Sequence, residues 1–442
     1  MTGEQPGIIT DVYVPDEGDW MSDEERQSLT PEIVIDRVRA LKPLIAAHAL
    51  EAERKGRPTD IVLKAIRRSG FFYLTQTRMF GGLEASFDEM FDATNAICEA
   101  DTATGWLCCF AVTNPRSASG YPLDLLRRLY KDNRYFTLTS AVAPVGTAVK
   151  VDGGYRVSGH FAWCTTIQMA EWLSVVAMLD TPDGPRDWSF MMPASSCTIL
   201  DTWNATGLIA TGTHQIVVDD VFVPEDMATA HSVVSPGWHA NARKNFSHYP
   251  FYIAPVGPGL TTTIAIAVVG MARSVIEHAT ARMTHHYKRG HTNLDSDKAH
   301  AQIRLAQAES MVHGAELMVR DGAREIMAMS CLPPEDQLTG FQQSVGRLAA
   351  AAQICRDAAH MLAQSAGTSM YYEESPLGRA YRDLQVGSSH IALDFDTLLE
   401  SYGRTMVGLP PLQRALPSDS PRPHELVATG KDPLGIYNNA GS

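Results

Sequence analysis

The sequence predicts an α+β fold in three consecutive parts: an N-terminal helical domain, a central β-barrel or sandwich domain, and a C-terminal four-helix bundle. Apolar residues recur at helical spacing in the first third of the chain and again after residue 260. Between these regions lie short β-branched segments separated by Gly, Pro and Asp. With 442 residues, 45% of them hydrophobic, the chain can bury a core large enough for two or three domains.

Residues 1–134 are expected to form the helical domain. Apolar side chains repeat at helical spacing from Ile33 to Ile45 and again from Ile61 to Ile66. Gly70 follows the second run and is expected to end that helix, because glycine adopts the left-handed conformation at a helix C-terminus without strain.

Residues 135–233 are expected to form the β domain. Its strand-like segments are short, contain β-branched and aromatic residues, and lie at 136–140, 147–157, 172–179 and 215–224. The Asp152-Gly153-Gly154 sequence interrupts the second segment and predicts a hairpin turn there.

An aromatic link, residues 234–259, leads to the predicted bundle at residues 260–411. Four long helical segments are expected there, at 260–289, 296–330, 335–366 and 376–405. The expected breaks between them are Gly290, the Cys331-Leu332-Pro333-Pro334 sequence and Gly367. The tail, residues 412–442, is rich in Pro, Ser and Gly and is expected to wrap a neighbouring subunit or to fray.

Charge and composition exclude several classes of partner. The net charge is −13 and no block is rich in Lys or Arg, so neither nucleic acid nor an anionic membrane surface is an expected partner. The start of the chain is acidic, and uninterrupted apolar runs stay below about 18 residues, which predicts a cytoplasmic protein. The seven cysteines are scattered without CxxC spacing and are expected to be reduced core thiols.

The common nucleotide, metal and hydrolase motifs are missing from the sequence. It contains no GxGxxG between a strand and a helix, no GxxxxGK[ST], no HExxH and no GxSxG. His285, His286 and His291 are close in sequence, but adjacent helical residues diverge by about 100° and no Cys or carboxylate stands at a ligand spacing. We therefore expect no metal site, and packing or solvated histidines instead.

The Trp163-Cys164-Thr165 sequence ends a predicted strand with an aromatic ring, a small thiol and a hydroxyl. Trp163 could cover one face of a flat ring, while the hydroxyl or backbone N–H of Thr165 could bond the polar edge of that ring. Alone, the pattern also fits an ordinary strand with a core tryptophan.

Four segments, taken in order, resemble the acyl-CoA dehydrogenase superfamily. They are Ala100–Trp106 in the first domain, Gly153–Trp172 and Trp203–Pro224 in the β domain, and Ser375–Asp383 in the bundle. The resemblance implies a homotetramer with flavin held between the β domain and the bundle and completed by a neighbouring subunit.

The resemblance also implies which side chains hold the cofactor. Trp163 and Thr165, with Cys164 between them, would lie at the isoalloxazine ring, and Trp106 would lie near the pocket. Arg282 and the turn formed by Gly367, Thr368 and Ser369 would contact the phosphate side, although Arg282 could equally form a surface ion pair.

One departure from the dehydrogenases indicates different chemistry. Many of them carry a glutamate base nine residues after the Arg of the Arg382-Asp383 pair, and here that position is Ile391, preceded by His390. The segment from Ser375 to His390 is instead similar to the flavin monooxygenases of this superfamily. These include the oxygenase components of two-component 4-hydroxyphenylacetate and steroid-phenol hydroxylases, and dibenzothiophene monooxygenase. In them a histidine at this place lies beside the C4a–N5 edge of the flavin.

A second departure concerns Asn114, which stands where many of these hydroxylases have a histidine. Asparagine can donate and accept hydrogen bonds but cannot act as a general base, so simple phenol deprotonation at Asn114 is not expected. The aromatic link supplies candidate substrate contacts, with inter-domain packing as the alternative. These candidates are Trp238, Phe246, His248, Tyr249 and Phe251.

The resulting hypothesis is an oxygenase component that takes reduced FMN or FAD from a separate flavin reductase and reacts it with O2. His390 would stabilise a C4a-hydroperoxyflavin that oxygenates an aromatic or polycyclic substrate, at carbon or alternatively at nitrogen or sulfur. The alternatives are an FAD-dependent acyl-CoA or acyl-thioester dehydrogenase, with Glu373 or Glu374 as base, and a flavin-free scaffold.

Overall fold

The structure, a computed structural model, describes residues 6–131, 134–182, 184–230, 236–285 and 294–412. The first part of the chain is helical, as predicted. Its helices are α1 (Asp23–Gln27), α2 (Pro31–Ala40), α3 (Lys42–Lys55), α4 (Asp60–Ser69), α5 (Phe87–Ala100), α6 (Thr102–Thr113), α7 (Pro115–Ala118) and α8 (Leu123–Leu129). Helix α4 ends as expected, because Gly70 takes a φ of 90° directly after it.

The middle of the chain forms a seven-stranded sheet in the described residues, in the order β5-β6-β2-β1-β3-β4-β7. The strands are β1 (Leu138–Val151), β2 (Gly154–Cys164), β3 (Trp172–Thr181), β4 (Gly184–Pro193), β5 (Thr198–Leu200), β6 (His214–Pro224) and β7 (Ala228–Ala230). The predicted hairpin at Gly153 is confirmed by the antiparallel pairing of Val151 with Gly154. Ile199 of β5 and Phe190 of β4 share one buried cluster, so the sheet curves around a common interior.

The expected aromatic link is largely helical. It contains α9 (Pro236–Phe246) and α10 (Pro250–Ile253), followed by α11 (Val256–His285). Helix α11 is long and apolar enough to span a membrane by length and composition, but 83% of its most apolar window is buried within the protein. This burial is typical of a core helix, and the residues of α11 share one apolar core with those of the first domain.

The C-terminal part continues with α12 (Ala299–Ser330), α13 (Pro334–Ala366), α14 (Pro376–Gly387) and α15 (Phe395–Met406). The prediction of one continuous helix over 376–405 is wrong. A short 3-10 turn at Ile391–Leu393 separates α14 from α15, and the His390 side chain caps that turn while Asp394 caps α15. The expected break at Gly290, the residues His286 and His291, and the tail from residue 413 lie outside the described residues.

All seven cysteines are free thiols. Five of them are buried, as predicted for core thiols, whereas Cys197 is partly buried and Cys331 is exposed. Burial raises the pKa of the Cys109 and Cys355 thiols to about 12, so these groups stay protonated at neutral pH.

Candidate active site

Helix α6 presents Trp106, Phe110 and Asn114 at intervals of four residues, which places them on one face. Asp101 caps the start of α6 by accepting a hydrogen bond from the Thr104 N–H at 3.0 Å. The Trp106 and Phe110 ring centroids are 5.1 Å apart. Asn114 lies at the other end of α6 and donates its Nδ2–H to the Leu138 carbonyl at 2.7 Å. The side chain of Asn114 therefore joins α6 to the first strand.

His390 lies in the break after α14, beside the aromatic face of α6. Its ring centroid is 6.1 Å from that of Trp106 and 6.4 Å from that of Phe110. The Ala392 N–H donates to His390 Nδ1 at 3.1 Å, so in the neutral imidazole the proton must be on Nε2. Burial lowers the pKa of His390 to about 4. At neutral pH His390 is thus an uncharged hydrogen-bond donor through Nε2.

Two contacts hold the break in place. A side chain at Gly387 would meet the Trp106 indole at 3.1 Å, so only a small residue lets α14 approach α6 this closely. The Thr261 hydroxyl of α11 donates to the Ala392 carbonyl at 3.1 Å.

Beside the break is a cavity of about 300 Å³, lined by His390 and Ile391 and by residues of α13 that include Arg356. The imidazole therefore borders a space large enough for a small molecule.

Trp163 lies at the end of β2 in an unusual conformation. Its φ is 58° and its side chain is 50% exposed, so one ring face remains free. The next side chain along the strand, Cys164, is fully buried in the interior of the β domain. The pairing of β2 with β6 shifts register between Phe161 and Cys164, so both of these side chains face the interior, and Cys164 offers no surface to a cofactor in this arrangement.

Thr165 is 9% exposed and has most of its backbone engaged. Its N–H donates to the Trp163 carbonyl at 2.9 Å, and its own carbonyl accepts the Thr139 hydroxyl at 2.6 Å. Of the two groups that the sequence singled out for ring binding, the N–H is therefore used within the chain, and only the hydroxyl remains for a ligand.

Arg282 and the turn after α13, both expected on the phosphate side of the cofactor, are in contact with each other. The Arg282 guanidinium donates to the Ala366 carbonyl and to the Ser369 hydroxyl, both at 2.7 Å. Gly367 has a φ of 74°, which ends α13, and Thr368 begins the following 3-10 turn. A fixed guanidinium beside a hydroxyl and a tight turn is a suitable arrangement for holding a phosphate.

The candidate substrate residues of the aromatic link are mostly in the core. Phe246, Tyr249 and Phe251 are 0%, 4% and 1% exposed, and the Tyr249 hydroxyl donates to a buried backbone carbonyl. Their location corresponds to the inter-domain packing alternative, since they offer no surface to a substrate in this arrangement. His248 is exposed and pairs with Glu84, and the side chain of Trp238 lies outside the described residues.

Asp383 is a buried carboxylate that the sequence analysis used only as a landmark. It accepts the Leu208 N–H at 2.5 Å and the Thr102 hydroxyl, so it joins the β domain, α6 and α14. Burial raises its pKa to about 7. A side chain at Gly207 would meet the Arg382 carbonyl at 2.4 Å, which explains why a glycine lies where the β domain touches α14.

A network of ion pairs surrounds Asp383. Arg382 contacts Glu53 of α3 and donates to the Thr206 carbonyl at 3.0 Å, while Arg379 lies 3.7 Å from Asp101. The spacing of these partners in the sequence gave no sign of their proximity. The network fixes α14, and with it the position of His390.

The two carboxylates considered as a dehydrogenase base, Glu373 and Glu374, are exposed to solvent. Glu373 is 54% exposed and forms an ion pair with Arg54 at 2.6 Å, and Glu374 is also exposed. An exposed, ion-paired carboxylate is not a base poised in a water-free pocket. The dehydrogenase alternative therefore gains no support from these residues.

Comparisons with known proteins agree with this arrangement. Residues 262–395 match the family model of the acyl-CoA dehydrogenase C-terminal domain. The chain is 29% identical to a pigment production hydroxylase from a Rhodococcus species, over 86% of this chain and 98% of that protein. It is also 29% identical to HsaA, the oxygenase subunit of a flavin-dependent monooxygenase from Rhodococcus jostii, over 85% of this chain and 98% of that protein.

The solved structure of the HsaA monooxygenase from M. tuberculosis has a TM-score of 0.78 and 26% identity, covering 87% of this chain and 99% of that chain. The three-part fold and the monooxygenase branch that the sequence resembles are thereby confirmed. The chain has the acyl-CoA dehydrogenase fold and is a relative of the oxygenase components of flavin-dependent monooxygenases.

Proposed function

We propose that the protein is the oxygenase component of a two-component flavin-dependent monooxygenase that oxygenates an aromatic or polycyclic small molecule. The observation that carries the proposal is His390, a neutral imidazole with its Nε2–H free to donate, held against Trp106 and Phe110. This donor directly precedes Ile391, the position at which many dehydrogenases of the superfamily carry their carboxylate base. The relatives' names add independent support, since HsaA is the oxygenase subunit of a flavin-dependent monooxygenase.

The residues present fit a flavin. Trp163 offers a free aromatic face for a flat ring, and the adjacent Thr165 hydroxyl can accept a hydrogen bond at its polar edge. Arg282, fixed by Ala366 and Ser369, provides positive charge for a phosphate. When bound, reduced FMN or FAD supplies the electrons that activate O2.

The protein's own residues have separate roles in this proposal. His390 donates a hydrogen bond from Nε2 to the reacting oxygen, and its low pKa means that it does so as a neutral group rather than as an imidazolium acid. Trp106 and Phe110 cover the imidazole and exclude water from the reacting atoms. Exclusion of water limits the wasteful release of hydrogen peroxide.

Asn114 restricts the way in which a substrate is activated. Its Nδ2–H is used by the Leu138 carbonyl, which leaves the amide oxygen as an acceptor for a substrate hydroxyl or N–H. An amide cannot remove that proton. We therefore expect a substrate that is reactive without prior conversion to a phenolate, or one that is deprotonated by another group.

A separate reductase and self-association complete the proposal. The sequence has no nicotinamide-binding motif, so reduced flavin must come from a second protein. We also propose a cytoplasmic homotetramer. Exposed apolar side chains remain on α12, where Ile303 and Leu317 are 66% and 54% exposed, and on α15, where Phe395 is 40% exposed. Subunit contacts are the usual reason for such surfaces.

The proposal is tested by mixing the protein, anaerobically loaded with reduced FMN or FAD, with ¹⁸O2 and a panel of aromatic and polycyclic substrates. We expect one ¹⁸O atom in the product from at least one substrate. Binding of reduced flavin followed only by hydrogen peroxide release, across the whole panel, would count against oxygenase function. Failure to bind reduced flavin would favour a flavin-free scaffold.

A further inference from the structure

Three threonine hydroxyls form a continuous hydrogen-bonded chain, the threonine chain, which begins at Thr165, two residues after Trp163. Thr165 Oγ1 lies 3.0 Å from Thr213 Oγ1, which lies 2.7 Å from Thr211 Oγ1, which in turn lies 2.7 Å from the Leu208 carbonyl oxygen. Thr211 and Thr213 are 1% and 7% exposed. The chain therefore runs from a buried carbonyl to the residue beside the exposed ring.

The direction of each bond follows from counting protons. A carbonyl cannot donate, so the Thr211 hydroxyl must donate to Leu208. Each hydroxyl has one proton, so Thr213 must then donate to Thr211, and Thr165 must donate to Thr213. The proton of the Thr165 hydroxyl points into the protein, and only lone pairs face outward.

Two further hydrogen bonds hold Leu208, the last acceptor of the threonine chain, in place. The Leu208 carbonyl also accepts the Trp203 indole N–H at 2.9 Å, and the Leu208 N–H donates to Asp383 at 2.5 Å. The chain cannot reverse unless Thr211 and Leu208 separate, because reversal would place two lone pairs 2.7 Å apart. The acceptor character of Thr165 is thus fixed by residues that touch no ligand.

We propose that Thr211 and Thr213 are positioning residues that make Thr165 an acceptor only, so that the site selects reduced over oxidised flavin. The inference rests on the proposed function, because it requires the N5 edge of a bound flavin at the Thr165 hydroxyl. Reduced isoalloxazine carries an N–H at N5, where the oxidised ring has only a lone pair. An acceptor-only hydroxyl can bond that N–H but opposes the lone pair. Selection of the reduced form suits an enzyme that receives reduced flavin from a second protein.

The test measures dissociation constants for reduced and oxidised FMN and FAD, the former under anaerobic conditions. Wild type should bind the reduced form more tightly. Thr213→Val removes the acceptor for the Thr165 proton, which can then turn outward and bond the oxidised ring. We expect the dissociation constant of oxidised flavin divided by that of reduced flavin to fall by about tenfold, the equivalent of one hydrogen bond. The midpoint potential of bound flavin should fall by about 30 mV, the value for a tenfold change in a two-electron couple.

Matched variants distinguish an effect of the hydrogen-bond direction at Thr165 from an effect of losing any buried hydroxyl. Thr139→Val removes a different buried hydroxyl that also bonds Thr165, at its carbonyl, and should leave the ratio unchanged. Thr211→Val breaks the chain one link away and should narrow the ratio as Thr213→Val does, and it serves if Thr213→Val does not fold. With Thr165→Val in the background, Thr213→Val should have no further effect on the ratio.

Two outcomes overturn the inference in distinguishable ways. If wild type binds both flavin states, and Thr213→Val and Thr211→Val both keep the wild-type ratio of dissociation constants, the threonine chain does not set selectivity, and the proposed function stands. If wild type binds neither state, the proposed function fails and this inference fails with it.

Discussion

Removal of the His390 imidazole is the most direct test of the catalytic proposal. The ring has two separate hydrogen-bonding groups: Nδ1 accepts the Ala392 N–H within the protein, and the Nε2–H is the donor that the proposal assigns to the reacting oxygen. His390→Ala removes both, whereas His390→Asn keeps a side-chain acceptor suited to capping the 3-10 turn. Comparison of the two variants therefore separates local structure from chemistry.

The expected magnitudes differ for stability and for activity. Loss of the cap costs about 1 kcal/mol, so His390→Ala should fold with a slightly lower thermal midpoint. Loss of a hydrogen bond to the reacting oxygen costs about 1–3 kcal/mol, which lowers the product formed per flavin oxidised by about tenfold to a hundredfold. Hydrogen peroxide should increase correspondingly. His390→Asn should regain the stability and part of the coupling.

The pH dependence gives a second readout. Because burial lowers the pKa of His390 to about 4, the ring stays neutral between pH 6 and 8, and coupling should be flat across that range. Any stability that depends on the neutral ring is fully present above the unfolded pKa of about 6.5 and is lost as pH falls towards 4.

His360 provides a matched control, since it is an exposed histidine on α13 that bonds Tyr381. His360→Ala should leave coupling unchanged. Normal coupling in His390→Ala would reduce His390 to a capping residue. An inflection of wild-type coupling near pH 6.5 that disappears in His390→Asn would refute the fixed neutral imidazole.

Three further predictions concern cofactor, stability and assembly. Trp163→Ala should weaken reduced-flavin binding by about 1–3 kcal/mol, whereas Phe222→Ala, an aromatic of similar exposure on β6, should not; anaerobic titration decides between them. The raised pKa of Asp383 means that the folded protein holds this proton more tightly than the unfolded chain, so stability falls as pH rises from about 4 to 7. Asp383→Asn should flatten that fall between about pH 4 and 7 in thermal unfolding, and an unchanged slope would assign the fall to other groups. Light scattering should give a tetramer that Ile303→Glu disrupts, and a wild-type monomer with full activity would exclude the tetramer proposal.

Local patterns in the sequence were sufficient to predict the fold. Helical and strand periodicities report which faces are buried, and glycines at Gly70, Gly153 and Gly367 mark places where the backbone takes a positive φ. The break between α14 and α15 was missed because the apolar periodicity continues across it. Only the side-chain caps at His390 and Asp394 reveal it, and such caps depend on the fold around them.

The candidate site could be proposed from the sequence only through the resemblance, because its residues are far apart along the chain. The resemblance placed Arg282 and Ser369 on the phosphate side of the cofactor and Trp106 near the pocket, and these roles stay predictions; the structure adds that Arg282 contacts Ser369 and that Trp106 lies beside His390. The role of the aromatic link was not predictable, because a buried inter-domain cluster and a substrate wall use the same residue types. Phe251 is 1% exposed, which favours inter-domain packing in this arrangement, and the substrate role of the link stays a prediction.

Asp383 connects the two halves of the site. On one side it lies on α14, the helix that leads into the break at His390. On the other it fixes Leu208, the end of the threonine chain that directs Thr165. The Thr102 hydroxyl and the Leu208 N–H both donate to Asp383, and these two hydrogen bonds favour the ionised carboxylate. Burial has the opposite effect and favours the protonated form. A change at Asp383 should therefore alter His390-dependent coupling and Thr165-dependent flavin selectivity together, whereas a change at Thr213 should alter selectivity alone.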